Sequence, residues 1–344
     1  MKDIFNYTLE ELRAILVESG LPSFAAAQVF SWVYQKGVHD FEKMTNVSKK
    51  AQGFLKEKFY FSKLKLLKNE VSRDGTTKFL FGLEDKFAIE SVFIPEETRG
   101  TFCVSSQVGC KYSCKFCMSG QKGFKRNLTV AEIVGQFLRV AELVAPLKIT
   151  NIVFMGIGEP LDNFNNVVKA IKILMEPLGI GLGRRKVSIS TCGLAPELKK
   201  IYDLKLGIKL SVSLHSADNE IRSKIMPVNK KYPLPELFKV IKTFDRDDRY
   251  PVIFEYVLIK GVNSSKADAI KLARFLSGVS CKVNLIPYND SSLNEKAPDD
   301  RIIEEFIEVL KKKRVFYTLR KSRGEDISAA CGQLRALWGE KTDA

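Results

Sequence analysis

The stretch Cys110–Cys117, CKYSCKFC, places three cysteines within eight residues of a chain that has seven in all. Their spacing is C-x3-C-x2-C, and they follow directly on a β-rich run, TFCVSSQVG (101–109). A structural zinc site asks for four donors, usually as two pairs, and no second pair follows here. The two histidines, His39 and His215, are both distant in sequence. Three thiolates on one tight loop suit three irons of a 4Fe-4S cluster, leaving a fourth iron open to bind a small molecule. Three ordinary or zinc-binding cysteines is the plainer alternative.

Outward from the loop, TFCVSSQVG is the first of six similar runs. The others are TNIVFMG (150–156), KVSISTCG (186–193), IKLSVSLHS (208–216), PVIFEYVLIK (251–260) and CKVNLIPY (281–288). Amphipathic stretches such as VAEIVGQFLRVAELV (130–144) and NVVKAIKILME (166–176) lie between them, at a length that suits crossover helices. The alternation predicts a parallel α/β barrel or open sheet, with six units too few for a complete eightfold barrel. Polar residues gather where the runs end, in MGIGEP, STCG, SLHS and PYND, which is where ligands sit in parallel α/β folds.

The amino-terminal part reads differently. TLEELRAILVESG (8–20) and AAQVFSWVYQKG (26–37) carry apolar residues at helical spacing, and each ends at a glycine. TTKFLFGLED (76–85) and FAIESVFIPEE (87–97) then read as strands. The expected division is a helical unit over 1–60, a β extension over 61–97, a partial barrel over 98–320 and a carboxy-terminal segment over 321–344.

At 344 residues, 45% hydrophobic and 28% charged, the chain can bury a core, and wholesale disorder is excluded. It offers no run of about 18 apolar residues, and an odd cysteine count argues against a disulfide framework. The chain therefore reads as cytoplasmic, without a membrane partner. Its formal net charge of +15 points to a polyanion such as nucleic acid. The basic residues fall in clusters at Lys122–Arg126, Arg184–Lys186, Lys311–Arg314 and Arg320–Arg323.

With Phe116 as the aromatic, C-x3-C-x-aromatic-C resembles the signature of radical S-adenosylmethionine (SAM) enzymes, whose usual fold is a partial (β/α)6 barrel. CVSSQVGCKYSCKFCMSGQKGFKRNLTVAEIVGQ (103–136), NIVFMGIGEPLDN (151–163), SVSLHS (211–216), NLIPYN (284–289) and RGEDISAACGQL (323–334) together resemble the RlmN/Cfr family of RNA methyltransferases over nearly the whole chain. The resemblance implies Cys110, Cys114 and Cys117 as ligands of one 4Fe-4S cluster with SAM at the open iron. It implies SAM contacts at Gly158, Glu159, Ser190, Ser213, Leu214, His215 and Asn289. Cys331 matches the cysteine that becomes S-methylated, Cys103 the one that later forms a transient disulfide with it, and Glu90 the proton acceptor. From the residues alone, Glu90 reads as an exposed carboxylate on a strand, His215 as a core histidine, and Cys192 and Cys281 as buried small hydrophobes.

The implied activity is methylation of C2 of adenosine 2503 in 23S rRNA and of adenosine 37 in tRNAs, with two SAM molecules per turnover. A monomer reduced by a flavodoxin-type donor is implied as well. The C8-specific branch of the family, acting on the same rRNA adenosine, is the alternative enzyme, and a metal-stabilised RNA-binding protein without catalysis is the alternative of another class. The GEDIS context and the NLTVAEIVGQ run resemble the C2 branch more closely.

Overall fold

The computed structural model describes residues 1–121, 123–244, 251–289 and 295–335. Lys122, part of one basic cluster, and 336–344 of the expected carboxy-terminal segment lie outside the described residues.

The amino-terminal unit comprises β1 (Lys2–Asp3), α1 (Leu9–Glu18), α2 (Phe24–Tyr34), α3 (Lys49–Lys58) and β2 (Phe59–Tyr60), which pairs in parallel with β1. Thr8 starts α1 through a capping box: the Glu11 amide donates to Thr8 Oγ1 at 3.2 Å, and the Thr8 amide donates to Glu11 Oε2 at 2.8 Å. The buried stripe Leu9, Leu12 and Leu16 belongs to the same core as Phe102, Ile152 and Val212 of the central sheet. The helices are therefore packed onto the barrel rather than tethered beside it.

Three strands, β3 (Lys65–Val71), β4 (Thr77–Gly82) and β5 (Ala88–Glu96), form an antiparallel meander. β5 pairs antiparallel with β6 (Arg99–Cys103), from which the chain runs into a hairpin of β7 (Gln107–Gly109) and β8 (Phe124–Asn127). The short α4 (Met118–Gln121) lies inside that hairpin. The alternation then proceeds through α5 (Val130–Leu143), β9 (Asn151–Phe154), α6 (Phe164–Met175), β10 (Val187–Thr191), α7 (Ala195–Asp203), β11 (Lys209–Ser213), α8 (Asn219–Ile225), α9 (Leu234–Ile241), β12 (Val252–Leu258), α10 (Lys266–Phe275), β13 (Cys281–Pro287), α11 (Asp300–Lys312) and β14 (Tyr317–Leu319).

One ten-stranded sheet runs in the order β14-β13-β12-β11-β10-β9-β6-β5-β4-β3, parallel from β14 to β6 and antiparallel beyond. Burial on both faces explains the composition of its middle strands: in VIFEYVL of β12 only Ile253 is not buried. This is the α/β radical SAM fold, a partial barrel carrying a helical unit and a β extension.

All six expected strands are present, with three departures. β14 adds a seventh parallel strand of three residues, too short for its pattern to register. β3 joins the extension although KLLKNEV is largely exposed at the sheet edge and so lacks an alternating apolar face. TFCVSSQVG is two strands rather than one, because Ser105 Oγ donates to the Glu90 carbonyl and turns the chain out of the sheet before β7. No described helix is long and apolar enough to cross a membrane.

Candidate active site

The hairpin β7–β8 holds the cysteine loop at its mouth. The Cys110 amide donates to the Gly123 carbonyl at 3.1 Å. A Cβ on Gly109, at φ +75°, would lie 1.9 Å from that same carbonyl oxygen, so only glycine fits there. Within the loop Ser113 adopts a left-handed conformation, and the Cys117 amide donates to the Cys114 carbonyl at 3.1 Å. Burial pushes all three thiols up, Cys110 to about 12, and nearby sulfurs add to it: Cys117 acts on Cys110, both act on Cys114, and Cys331 acts on Cys117. Opposing this, the nearby Ser119 and Gly120 amides favour the Cys117 thiolate, and the Tyr112 amide favours that of Cys110, while the Ser119 hydroxyl donates to the Leu334 carbonyl at 2.7 Å. Donors aimed at sulfur stabilise thiolate charge, which cluster ligation requires. Among the described residues no three His, Cys, Asp or Glu side chains converge on one point as a single metal ion would need. A cubane asks for less, because each thiolate binds its own iron. The donor set fits a 4Fe-4S cluster.

The Gly158–Glu159 turn follows β9. Gly158 has φ +103°, and a Cβ there would come within 2.4 Å of Gln107 Cβ. Glu159 is buried, and burial raises its pKa; its Oε2 accepts from the Cys192 amide at 2.7 Å and its Oε1 from the Leu161 amide at 3.0 Å. Its own amide donates to Gln107 Oε1 at 2.8 Å. The carboxylate thus ties the end of β9 to the end of β10.

The other expected SAM positions line the same rim. Ser190 is half-buried on β10, Ser213 ends β11, Leu214 and His215 follow it, and Asn289 lies just beyond β13. His215 sits at φ 53° with Nδ1 accepting from the Val257 amide at 2.9 Å, and its ring meets Phe116 of the cysteine loop edge-on with centroids 4.6 Å apart. Burial, with Arg222 adding to it, holds its pKa at about 3, so it is a neutral histidine.

Cys331 comes to this rim from the carboxy-terminal segment. The Met118 amide donates to the Gly332 carbonyl at 2.7 Å, and Asn289 Nδ2 donates to the Cys331 carbonyl at 3.0 Å. Cys103, at the end of β6, and Cys331 line one cavity of about 60 Å³ together with Met155, Asn289 and Arg320. Both are free thiols in this structure, so the expected disulfide is absent here. Burial pushes the Cys103 thiol up to about 12, the nearby Cys331 sulfur adding to the effect. Glu90 is not an exposed carboxylate: it is buried, because the sequence-distant segment 323–335 covers β5. Burial raises its pKa to about 7, which suits a general base near neutral pH.

Residues 2–61 match the ribosomal RNA large subunit methyltransferase N-terminal domain, and 104–273 match the radical SAM superfamily. The chain is 44% identical to the dual-specificity RNA methyltransferase RlmN of a Nitratiruptor species, covering 97% of this chain and 98% of that one. With RlmN of Geotalea uraniireducens the identity is 46%, over 97% and 96%. The chain belongs to the RlmN family. Its fold superposes with a TM-score of 0.91 on the crystal structure of a radical SAM methyltransferase from Sphaerobacter thermophilus, which is 38% identical, with 98% of this chain and 100% of that one covered. As a radical SAM enzyme of the RlmN family it is implied to use an iron-sulfur cluster and SAM.

Two further residues organise this RlmN-family site, Arg222 without any motif signal and Asp162 within the GIGEPLDN motif. Arg222 of α8 is fully buried and donates to the carbonyls of Leu214 (3.1 Å), Ser213 (2.9 Å) and Cys192 (2.8 Å) and to Asn229 Oδ1 (2.6 Å). Asp162 accepts from Lys111 (2.6 Å), Tyr112 (3.1 Å) and Gln107 (2.8 Å). The basic clusters divide by environment. Arg126 is paired with Asp85 and Glu132, Arg320 and Arg323 face the cavity of the two cysteines, and Arg184–Lys186 and Lys311–Arg314 are exposed. A larger cavity, about 820 Å³, opens beside Lys209, Val252 and Lys282 at the opposite ends of the strands, away from this site. Cys192 is buried as expected, and Cys281 half-buried.

Proposed function

We propose that the protein methylates C2 of adenosine 2503 in 23S rRNA and of adenosine 37 in tRNAs, through an S-methylated Cys331. The observation that carries this reading is the shared cavity of Cys103 and Cys331, with the Cys331 segment hydrogen-bonded through the Gly332 carbonyl to Met118, the residue next to the last cysteine of the loop. Adenine C2 is an electron-poor aromatic carbon without a lone pair, so ordinary transfer of a methyl cation to it fails. A protein-borne carbon radical avoids that barrier.

The Cys331 sulfur attacks the methyl of a first SAM: the new S–CH3 bond forms as the sulfonium–methyl bond breaks, S-adenosylhomocysteine leaves and the thiol proton is released. Held by the thiolates of Cys110, Cys114 and Cys117, a 4Fe-4S cluster would supply the electron that cleaves a second SAM, whose 5′-deoxyadenosyl radical takes a hydrogen atom from that methyl group. Gly158, Glu159, Ser190, Ser213, Leu214, His215 and Asn289 hold SAM at the rim. The carbon on Cys331 adds to adenine C2, and the adduct loses one electron, for which the oxidised cluster held by Cys110, Cys114 and Cys117 would be the acceptor. Glu90, whose carboxyl is pushed up to about 7 by burial and so is partly ionised at neutral pH, takes the C2 proton. Cys103 then attacks the Cys331 sulfur: the S–S bond forms, the S–C bond breaks toward carbon, and that carbon takes up a proton to leave a methyl on the RNA. The target base has to be unstacked to reach this rim.

Basic residues at the rim, among them Arg320 and Arg323, supply phosphate contacts, whereas Arg184–Lys186 and Lys311–Arg314 precede β10 and β14 at the opposite strand ends. The enzyme acts as a cytoplasmic monomer with a flavodoxin-type reductant. The test is anaerobic reconstitution with iron, sulfide, SAM, reductant and unmodified rRNA or tRNA, followed by nucleoside mass spectrometry. 2-Methyladenosine is expected. 8-Methyladenosine would move the chain to the C8 branch, and no product from an intact cluster would contradict the reading.

A further inference from the structure

The β extension grips the segment that carries Cys331. Ser72 Oγ donates to Asp326 Oδ1 at 2.6 Å, the Arg73 amide to Asp326 Oδ2 at 3.2 Å, and the Gly324 amide to Asp74 Oδ2 at 3.1 Å. Farther along, the Arg335 amide donates to Glu90 Oε2 at 2.6 Å. Lys78 of β4 stands at the centre of this grip, with only 11% of its side chain exposed. Its Nζ lies 3.0 Å from Glu70 Oε2 and 3.9 Å from Glu90 Oε1, and it donates to the Ile327 carbonyl. One ammonium thus touches the carboxylate assigned as proton acceptor and, four residues before Cys331, the backbone of the methyl carrier.

We infer that Lys78 is a positioning residue that holds Glu90 and the Cys331 segment in register and keeps Glu90 ionised, ready to accept the C2 proton. The inference rests on the reading of Glu90 as proton acceptor. The charged groups facing Glu90 are Lys78 from the adjacent β4, Glu70 from β3 beyond it and Arg335 from the carboxy-terminal segment. Lys78 favours the carboxylate, and Glu70 opposes it. Glu70 and the Ile327 carbonyl keep Lys78 anchored when Glu90 becomes neutral. Without the ammonium, burial acts against a carboxylate that has lost its nearest cation, and Glu90 stays protonated to higher pH.

The test compares the reconstituted parent, Lys78→Met, Lys78→Arg and Glu90→Gln in single turnovers across pH 5.5–9, reading methylated adenosine and, on denaturing gels, covalent protein–RNA adduct. Lys78→Met should move the acid limb of product formation up by about one pH unit, raise the adduct fraction at pH 7 and speed amide hydrogen exchange over 323–335. Lys78→Arg should restore the limb. Lys78→Gln replaces Lys78→Met if the latter melts markedly earlier than the parent. A profile that overlays the parent's, with unchanged exchange, overturns the role of Lys78 while Glu90→Gln still accumulates adduct. If Glu90→Gln instead turns over like the parent, the proton-acceptor reading falls and the Lys78 inference with it.

Discussion

Asp162 stands 2.6 Å from Lys111 Nζ, and its second carboxylate oxygen accepts from Gln107 Nε2 at 2.8 Å. One side chain on the turn after β9 thereby fixes the cysteine loop to the hairpin strand that precedes it, and Gln107 passes the tie on to the Glu159 amide. Asp162→Ala removes the acceptor for Lys111, Tyr112 and Gln107 together. It should cost roughly 1–3 kcal/mol of stability and accelerate amide exchange over 110–117. Iron retained after reconstitution and desalting should fall below that of the parent; full retention with unchanged exchange would show that the loop is ordered without this clamp.

Arg222 gives the second prediction. Among the described residues no carboxylate lies within ion-pair distance of it, and its hydrogen bonds end on three carbonyls and one amide oxygen. Burial lowers its pKa to about 10, opposed by the thiols of Cys192 and Cys114, so it stays charged at neutral pH. Arg222→Met leaves the ends of β10 and β11 with unmatched acceptors in the interior. Urea denaturation should register a loss of about 3 kcal/mol or more, and a loss well under 1 kcal/mol would show that water replaces the guanidinium.

His215 makes stability depend on pH in a defined sense. Its Nδ1 accepts from the Val257 amide, and its pKa in the fold, about 3, lies below the ordinary value of 6.5. The unfolded chain therefore binds one more proton between those values, so the contribution is complete above pH 6.5 and is lost as pH falls toward 3. His215→Asn keeps an acceptor, tolerates φ 53° and does not titrate. The difference in unfolding free energy between parent and variant should change by at most about 1.4 kcal/mol per pH unit across that window; a difference that stays flat would mean the imidazole is solvated.

The parallel strands were legible because each couples an apolar run to a polar end, and the cysteine loop because its spacing is compressed into eight residues. Glu90 was misplaced for a physical reason. A strand reveals its own alternation but not the segment that covers it, and here the cover comes from residues 323–335. Arg222 was invisible for a similar reason: in NEIRSKI it reads as the polar face of a short helix, and only the convergence of three backbone carbonyls on one point makes burial of its charge tolerable. The carriage of Cys331 to the cysteine loop was legible only through resemblance, since no local pattern brings AACGQL to the Met118 amide.

The most direct test of the account uses Cys103→Ala, reconstituted anaerobically and incubated with SAM, reductant and RNA. The account predicts a covalent protein–RNA adduct that resists denaturation and maps by peptide mass spectrometry to a methylene bridge between Cys331 and adenine C2, with Cys331→Ala giving neither adduct nor methylated RNA. Normal methylation of RNA by Cys331→Ala, or free turnover of Cys103→Ala without adduct, would contradict it.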